Sequence, residues 1–199
     1  MVRIGVSIEG PTEERFIKGV LAPYLANKSI CMTPINIGGN VNVDRIRDEL
    51  KRISYGFDWV TTLYDFYGFK RKDPHETKST LEEKISNVVH ESIRSKLIPY
   101  VQMYEFEGLL FSCPETLSSR LMGGSIKDWA QKILSEFDDN PERINDSQET
   151  APSKRLLKYT NYRKTTHGPD IAKGIGIEKI REKCSGFNEW LEKIERLVA

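Results

Sequence analysis

What most constrains this chain is a recurrence: a short branched, apolar run followed by an amphipathic segment, repeated along its first half. "VRIGVSI" (residues 2–8) alternates like a strand. The stretch from Thr12 to about Leu25 then reads as a helix, with Thr12 placed to cap it and acids in its opening turn. "CMTPINIGG" reads as a second strand ending in a glycine turn. "VDRIRDELKRI" follows it, with Val43, Ile46, Leu50 and Ile53 at helical spacing. "DWVTTLYDF" is the third strand. A polar loop, "GFKRKDPHETKS", leads to a helix starting near Thr80, and "IPYVQMYEFEGLLF" is the fourth strand. Alternation of this kind builds parallel βαβ units covered by helices.

Beyond Cys113 the pattern changes to helices alone: "PETLSSRL", "SIKDWAQKILSEF" and "GIEKIREKCSGFNEWLEKIERLV". The expected plan is an α/β core over residues 1–113, its parallel central sheet flanked by helices. A C-terminal helical appendage over 114–199 follows, and it carries a basic connector at 150–169.

Charge narrows the function classes. Charged residues make up 30% of the chain, yet the formal net charge is only +1, so a uniformly basic polyanion binder is excluded while a local patch is not. Cys31, Cys113 and Cys184 stand far apart with no CxxC, which argues against a structural zinc site or a disulfide framework and suits a reducing compartment. No apolar run approaches a membrane span and no signal-peptide pattern opens the chain, so a soluble cytoplasmic protein is expected.

Ligands of an open parallel sheet sit beyond the carboxyl ends of its strands. On this reading Glu9 closes the first strand, Asp65 closes the third, and Glu105 and Glu107 share a face of the fourth. Gathered carboxylates repel one another and cost desolvation energy, and a divalent cation resolves that conflict. Mg²⁺, or Mn²⁺ in its place, suits such hard oxygens. Glu9, Glu13, Asp65, Glu105 and Glu107 are the candidate metal ligands. The plainer alternatives are that Glu13 and Glu14 complement a helix dipole and that Asp65 is a turn residue.

Residues 150–169 contain no Asp or Glu, although both flanks are acidic, while Lys154, Arg155, Lys158, Tyr159, Tyr162, Arg163 and Lys164 interleave cations with aromatic rings. Cations over phosphates and rings under bases suit a nucleic-acid strand. A solvated loop with a short amphipathic helix, partly neutralised by the acidic run at 136–149, is the alternative. Lys154 could stabilise charge on a phosphoryl oxygen and His167 could act as general acid–base, or His167 could simply precede a helix.

"IEGPTEERF" followed by "LYDFYGF" resembles the Toprim pattern of a Glu after the first strand and an Asp turn after the third. "NIGGNV", "PYVQMYEFEGLLFS", "ETAPSKRL" and "HGPDIAKGIG" further resemble a bacterial family known as domain of unknown function 4276, which is similar to the OLD-type Toprim nucleases. The resemblance implies a Toprim-like Rossmannoid core and Mg²⁺; with acids at the strand ends beside a basic, aromatic connector, phosphodiester hydrolysis of DNA or RNA is the expected activity. It also implies a neighbouring AAA or ABC-type ATPase partner in an anti-phage setting, with a homo-oligomer open. One departure stands out: where many Toprim domains carry Asp-x-Asp, the third position here is Tyr67. That departure supports the rival reading, a non-catalytic adaptor or regulatory subunit of an ATPase complex.

Overall fold

Ile4, Val6 and Ile8 fall on one side of a pleated strand and Gly5 and Ser7 on the other, all buried, as befits β1 (Val2–Ile8) inside a sheet covered on both faces. The computed structural model describes residues 1–70, 72–145 and 147–198; Arg71 of the polar loop and Asp146 of the acidic run lie outside the described residues. Parallel β2 (Ile30–Asn36) pairs with one edge of β1 and parallel β3 (Trp59–Asp65) with the other. Two short strands, β4 (Leu97–Ile98) and β5 (Val101–Gln102), then run in turn along β3. The order β2-β1-β3-β4 means that the chain leaves β1 in one direction and returns on its other side. The crevice at such a reversal, beyond the carboxyl ends of β1 and β3, is where an open α/β sheet binds ligands.

Helices cover both faces. On one face, α3 (Val43–Ile53), α4 (Lys78–Val88) and α5 (Glu91–Arg94) pack Leu50, Ile85 and Ile93 against Val60 and Tyr64 of β3. Asn42 and Thr77 cap α3 and α4 by accepting hydrogen bonds from Arg45 N–H and Thr80 N–H. On the other face lie α1 (Pro11–Phe16) and α2 (Ala22–Ala26), joined by a π-helical turn over Ile17–Leu21. The helices behind residue 113 cover that same face: α6 (Pro114–Leu121), α7 (Ile126–Glu136), α8 (Pro152–Tyr159), α9 (Lys164–Ile175), α10 (Ile177–Lys183) and α11 (Ser185–Glu195). Their Leu117, Ile133, Leu156, Ile171, Ile180 and Trp190 share one core with Ile4 and Phe16. Trp190 lies flat on Tyr100, with ring centres 4.7 Å apart, and donates its indole N–H to Thr61 Oγ1 of β3 at 2.8 Å. Among the described residues no helix is long and apolar enough to cross a membrane.

Four local expectations are corrected. Thr12 does not cap the first helix; it is buried inside it, and the N-cap is Gly10, whose N–H donates to Glu13 Oε2 at 3.0 Å. The fourth strand is not continuous. After Ile98, Pro99 brings no N–H to the ladder, and Tyr100 N–H donates at 2.8 Å to the Thr62 hydroxyl instead of a backbone carbonyl. After Gln102 the backbone leaves the sheet and winds into a 3₁₀ helix over Phe106–Ser112, so Glu105 and Glu107 do not alternate along a strand. The last helix breaks at Cys184, where the Glu142 carboxylate accepts from Gly186 N–H (2.7 Å) and Phe187 N–H (3.0 Å) and so satisfies the start of α11. Finally, His167 does not precede its helix. α9 begins three residues earlier, and the imidazole Nδ1 accepts from Arg163 N–H at 3.2 Å, capping its own first turn.

Candidate metal and phosphate site

Glu9 is the first residue past β1, and its position is set by backbone and by glycine. Gly39, at φ +71°, turns its N–H to the Glu9 carbonyl at 2.8 Å. Gly68 lies under the Glu9 carboxylate, so close that a Cβ there would stand 2.2 Å from Oε2. Asp65, the last residue of β3, accepts Phe106 N–H on Oδ1 at 2.8 Å, which draws the start of the 3₁₀ helix onto the end of the sheet. Glu105 precedes that helix and accepts Ser153 N–H on Oε2 at 2.8 Å, in the first turn of α8 where a carboxylate complements the helix dipole. Glu107 is 2% exposed; its Oε1 accepts from Tyr162 O–H at 3.2 Å and lies 3.5 Å from Lys164 Nζ.

A cleft of about 380 Å³ opens here, lined by Glu9, Glu13, Asp65 and Glu105 with Tyr67, Gly68, Ser153, Lys154 and Lys164. Glu9 and Asp65, some fifty-five residues apart in sequence, thus face one crevice. Glu107 stands behind them. A continuation past Glu9 and Tyr67 reaches Lys70 and Lys72. Lys72 is occupied in the loop itself, donating to Phe66 O and Phe69 O at 2.8 Å each.

The electrostatics follow from crowding. Burial lifts the Asp65 carboxyl well above the usual range, and the charges of Glu13, Glu107, Glu105 and Glu9 lift it further. Glu13 is pushed up to about 7, chiefly by burial, with Glu107 and Glu9 adding and its backbone hydrogen bonds opposing. Burial raises Glu9 and Glu107 as well, and Lys164 is the strongest opposing influence on both. Burial works against the charge on Lys164, yet Glu107, Glu105 and Asp65 keep its ammonium above the ordinary value. Five carboxylates therefore meet with one inserted lysine, and they repel unless protons or cations intervene. The donor chemistry, hard oxygens with solvent access on the cleft side, fits a cation that takes one or two carboxylates and completes its shell with water or phosphate oxygens. Among the described residues no three acids, imidazoles or thiols close into a ready-made cage.

The basic connector forms α8, a short link and the start of α9, and its residues part company. Lys154 is exposed and lines the cleft, Lys158 and Arg163 are exposed, and Tyr159, 58% exposed, leans on Trp129 with Lys158 above its ring. Arg155 donates to Thr150 O at 2.6 Å and lies over the Phe137 ring. Tyr162 is not offered to a base: it is 3% exposed with its hydroxyl on Glu107. Lys164 turns inward to the acids, and His167 is not among the residues lining the cleft. Sequence reading missed Gly68 and Ser153. The glycine three residues past Asp65 was the available signal for the first; nothing in the sequence marks the second.

No curated protein matches this sequence. Among solved structures, the fold is similar over 100% of both chains to the C-terminal region of the Burkholderia pseudomallei OLD protein, with TM-score 0.53 and 14% identity. The C-terminal region of the Xanthomonas campestris pv. campestris OLD protein, phased with iodine, aligns at TM-score 0.48 and 16% identity over 98% of this chain and 95% of that one. The model of one family, described as domain of unknown function (DUF4276), matches residues 8–195, and the chain belongs to that family.

Proposed function

We propose that this protein is a Mg²⁺-dependent nuclease that hydrolyses phosphodiester bonds of DNA or RNA. The observation that carries the reading is the meeting of Glu9, Glu13, Asp65 and Glu105 in one cleft, with Lys154 and Lys164 on its wall. Glu9 and Asp65 would hold the ion, Glu105 would complete its shell or orient a water, and Glu13 and Glu107 would supply charge from behind. Bound Mg²⁺ would provide an activated water and neutralise charge on the phosphoryl oxygens. Lys154, exposed at the rim, would bind a nonbridging phosphate oxygen, while Lys158, Arg163 and Tyr159 on the outer face would guide the strand. The resemblance to OLD-type proteins supports an ATPase partner and a role in anti-phage defence.

The test is purified protein incubated with Mg²⁺ or Mn²⁺ and single- and double-stranded DNA and RNA. Cleavage is expected, and Glu9→Gln and Asp65→Asn are each expected to lower its rate on the order of 100-fold or more. Activity that persists undiminished in both variants refutes the assignment.

A further inference from the structure

We propose that Lys164 is a built-in cation of the carboxylate cluster that takes the place of a second metal ion, so that the cleft accepts one divalent ion per chain. This rests on the metal-dependent reading above and refines it. Two-metal sites place their ions about 3.5–4 Å apart, bridged by shared carboxylates. Here an ammonium already stands 3.5 Å from Glu107 Oε1, on the same oxygen that receives the Tyr162 hydroxyl at 3.2 Å. A second dication held by Glu107 would have to share that carboxylate with the Lys164 ammonium, and the two positive charges would repel.

The lysine is held there by structure on two sides. It is the first residue of α9, which packs along α1, the helix that carries Glu13. Arg15 of α1 donates to the Thr165 carbonyl at 2.9 Å and fastens the first turn of α9 beside the acids. The Lys164 side chain also keeps 45% of its surface exposed while Glu107 keeps 2%, so the ammonium joins a buried acid to the open cleft. A second ion would do the same two things: neutralise the acids and present positive charge to a substrate phosphate. The wall formed by Glu9 and Asp65 remains for the single ion.

Calorimetric titration with Mn²⁺, checked by the electron-spin signal of unbound Mn²⁺, reads the stoichiometry without reference to activity. The wild-type chain is expected to bind one ion, Lys164→Met two, and Lys164→Arg, which keeps the charge, one. Two ions on the wild-type chain, or one on a folded Lys164→Met, overturn the inference while leaving a metal-dependent nuclease intact. A wild-type chain that binds no Mn²⁺ overturns the metal reading itself. Should Lys164→Met fail to fold, Lys164→Gln, which also drops the charge, takes its place with the same expected count of two.

Discussion

Metal-free protein should lose stability as the pH rises from about 5 to about 8, and Glu13 is the residue on which to measure it. Its carboxyl is pushed from 4.5 to about 7 in the folded chain. The folded state therefore binds more protons than the unfolded state throughout that window, and stability must fall with pH there. The gap between the two values, at 1.36 kcal/mol per unit, corresponds to at most about 3 kcal/mol. Glu13 is 8% exposed, so solvent does little to screen the effect. For a chain of this size the loss amounts to roughly 6–12 °C in Tm. Asp65, Glu9 and Glu107 are shifted in the same direction and steepen the slope. Glu14 and Glu76 are shifted downward, and their contributions are complete below the window. The assay is thermal and urea denaturation in a chelator across the range, on wild type and Glu13→Gln. The glutamine retains an oxygen for Gly10 N–H and drops the charge, so the variant should be the more stable at the alkaline end and show a flatter profile. Wild-type stability that rises toward pH 8, or a variant with the wild-type slope, refutes the crowding of acids on which the site depends.

Gly68→Ala would place a methyl group 2.2 Å from Glu9 Oε2 and drive that carboxylate aside. Because the displaced group is the end of a flexible side chain, Tm should change little while Mn²⁺ affinity measured by calorimetry falls about tenfold or more; unchanged affinity contradicts the geometry. Trp190→Phe removes the indole N–H from Thr61 Oγ1 in a site with 1% exposure and should cost about 1–3 kcal/mol by urea denaturation. A loss below about 0.5 kcal/mol would show that the contact does not bind the last helix to the sheet.

The strand–helix alternation was legible because β1 sets its large apolar residues Ile4, Val6 and Ile8 two apart, with the small Gly5 and Ser7 buried between them, and because one-faced burial sets Ile46, Leu50 and Ile53 at helical spacing. The α/β architecture and the parallel sheet followed from it. The period vanishes where large apolar residues fill every face. Phe106, Leu109, Leu110 and Phe111 are all fully buried, so a 3₁₀ helix read as the continuation of a strand, although its acids still reach the end of β3. Glu9 and Asp65 could be placed at strand ends, but their distance across the sheet depended on strand order, which no local pattern encodes. Tyr162 and Lys164 looked like two more members of a basic, aromatic strip. That both point at Glu107 is a pairing across more than fifty residues, visible only once α9 lies along α1.

The two sides of the cleft come from separate stretches of the chain. Glu9, Glu13, Asp65, Glu105 and Glu107 are all translated before Lys154, Tyr162 and Lys164, and the latter arrive with α8, α9 and their link, which also complete the core shared with β1. A chain emerging from the ribosome thus displays mutually repelling acids long before the lysines that balance them are made. On the nuclease reading, a product stalled before residue 154 would carry the acids of the cleft without the lysines of its wall, so catalytic competence would wait until α9 is made.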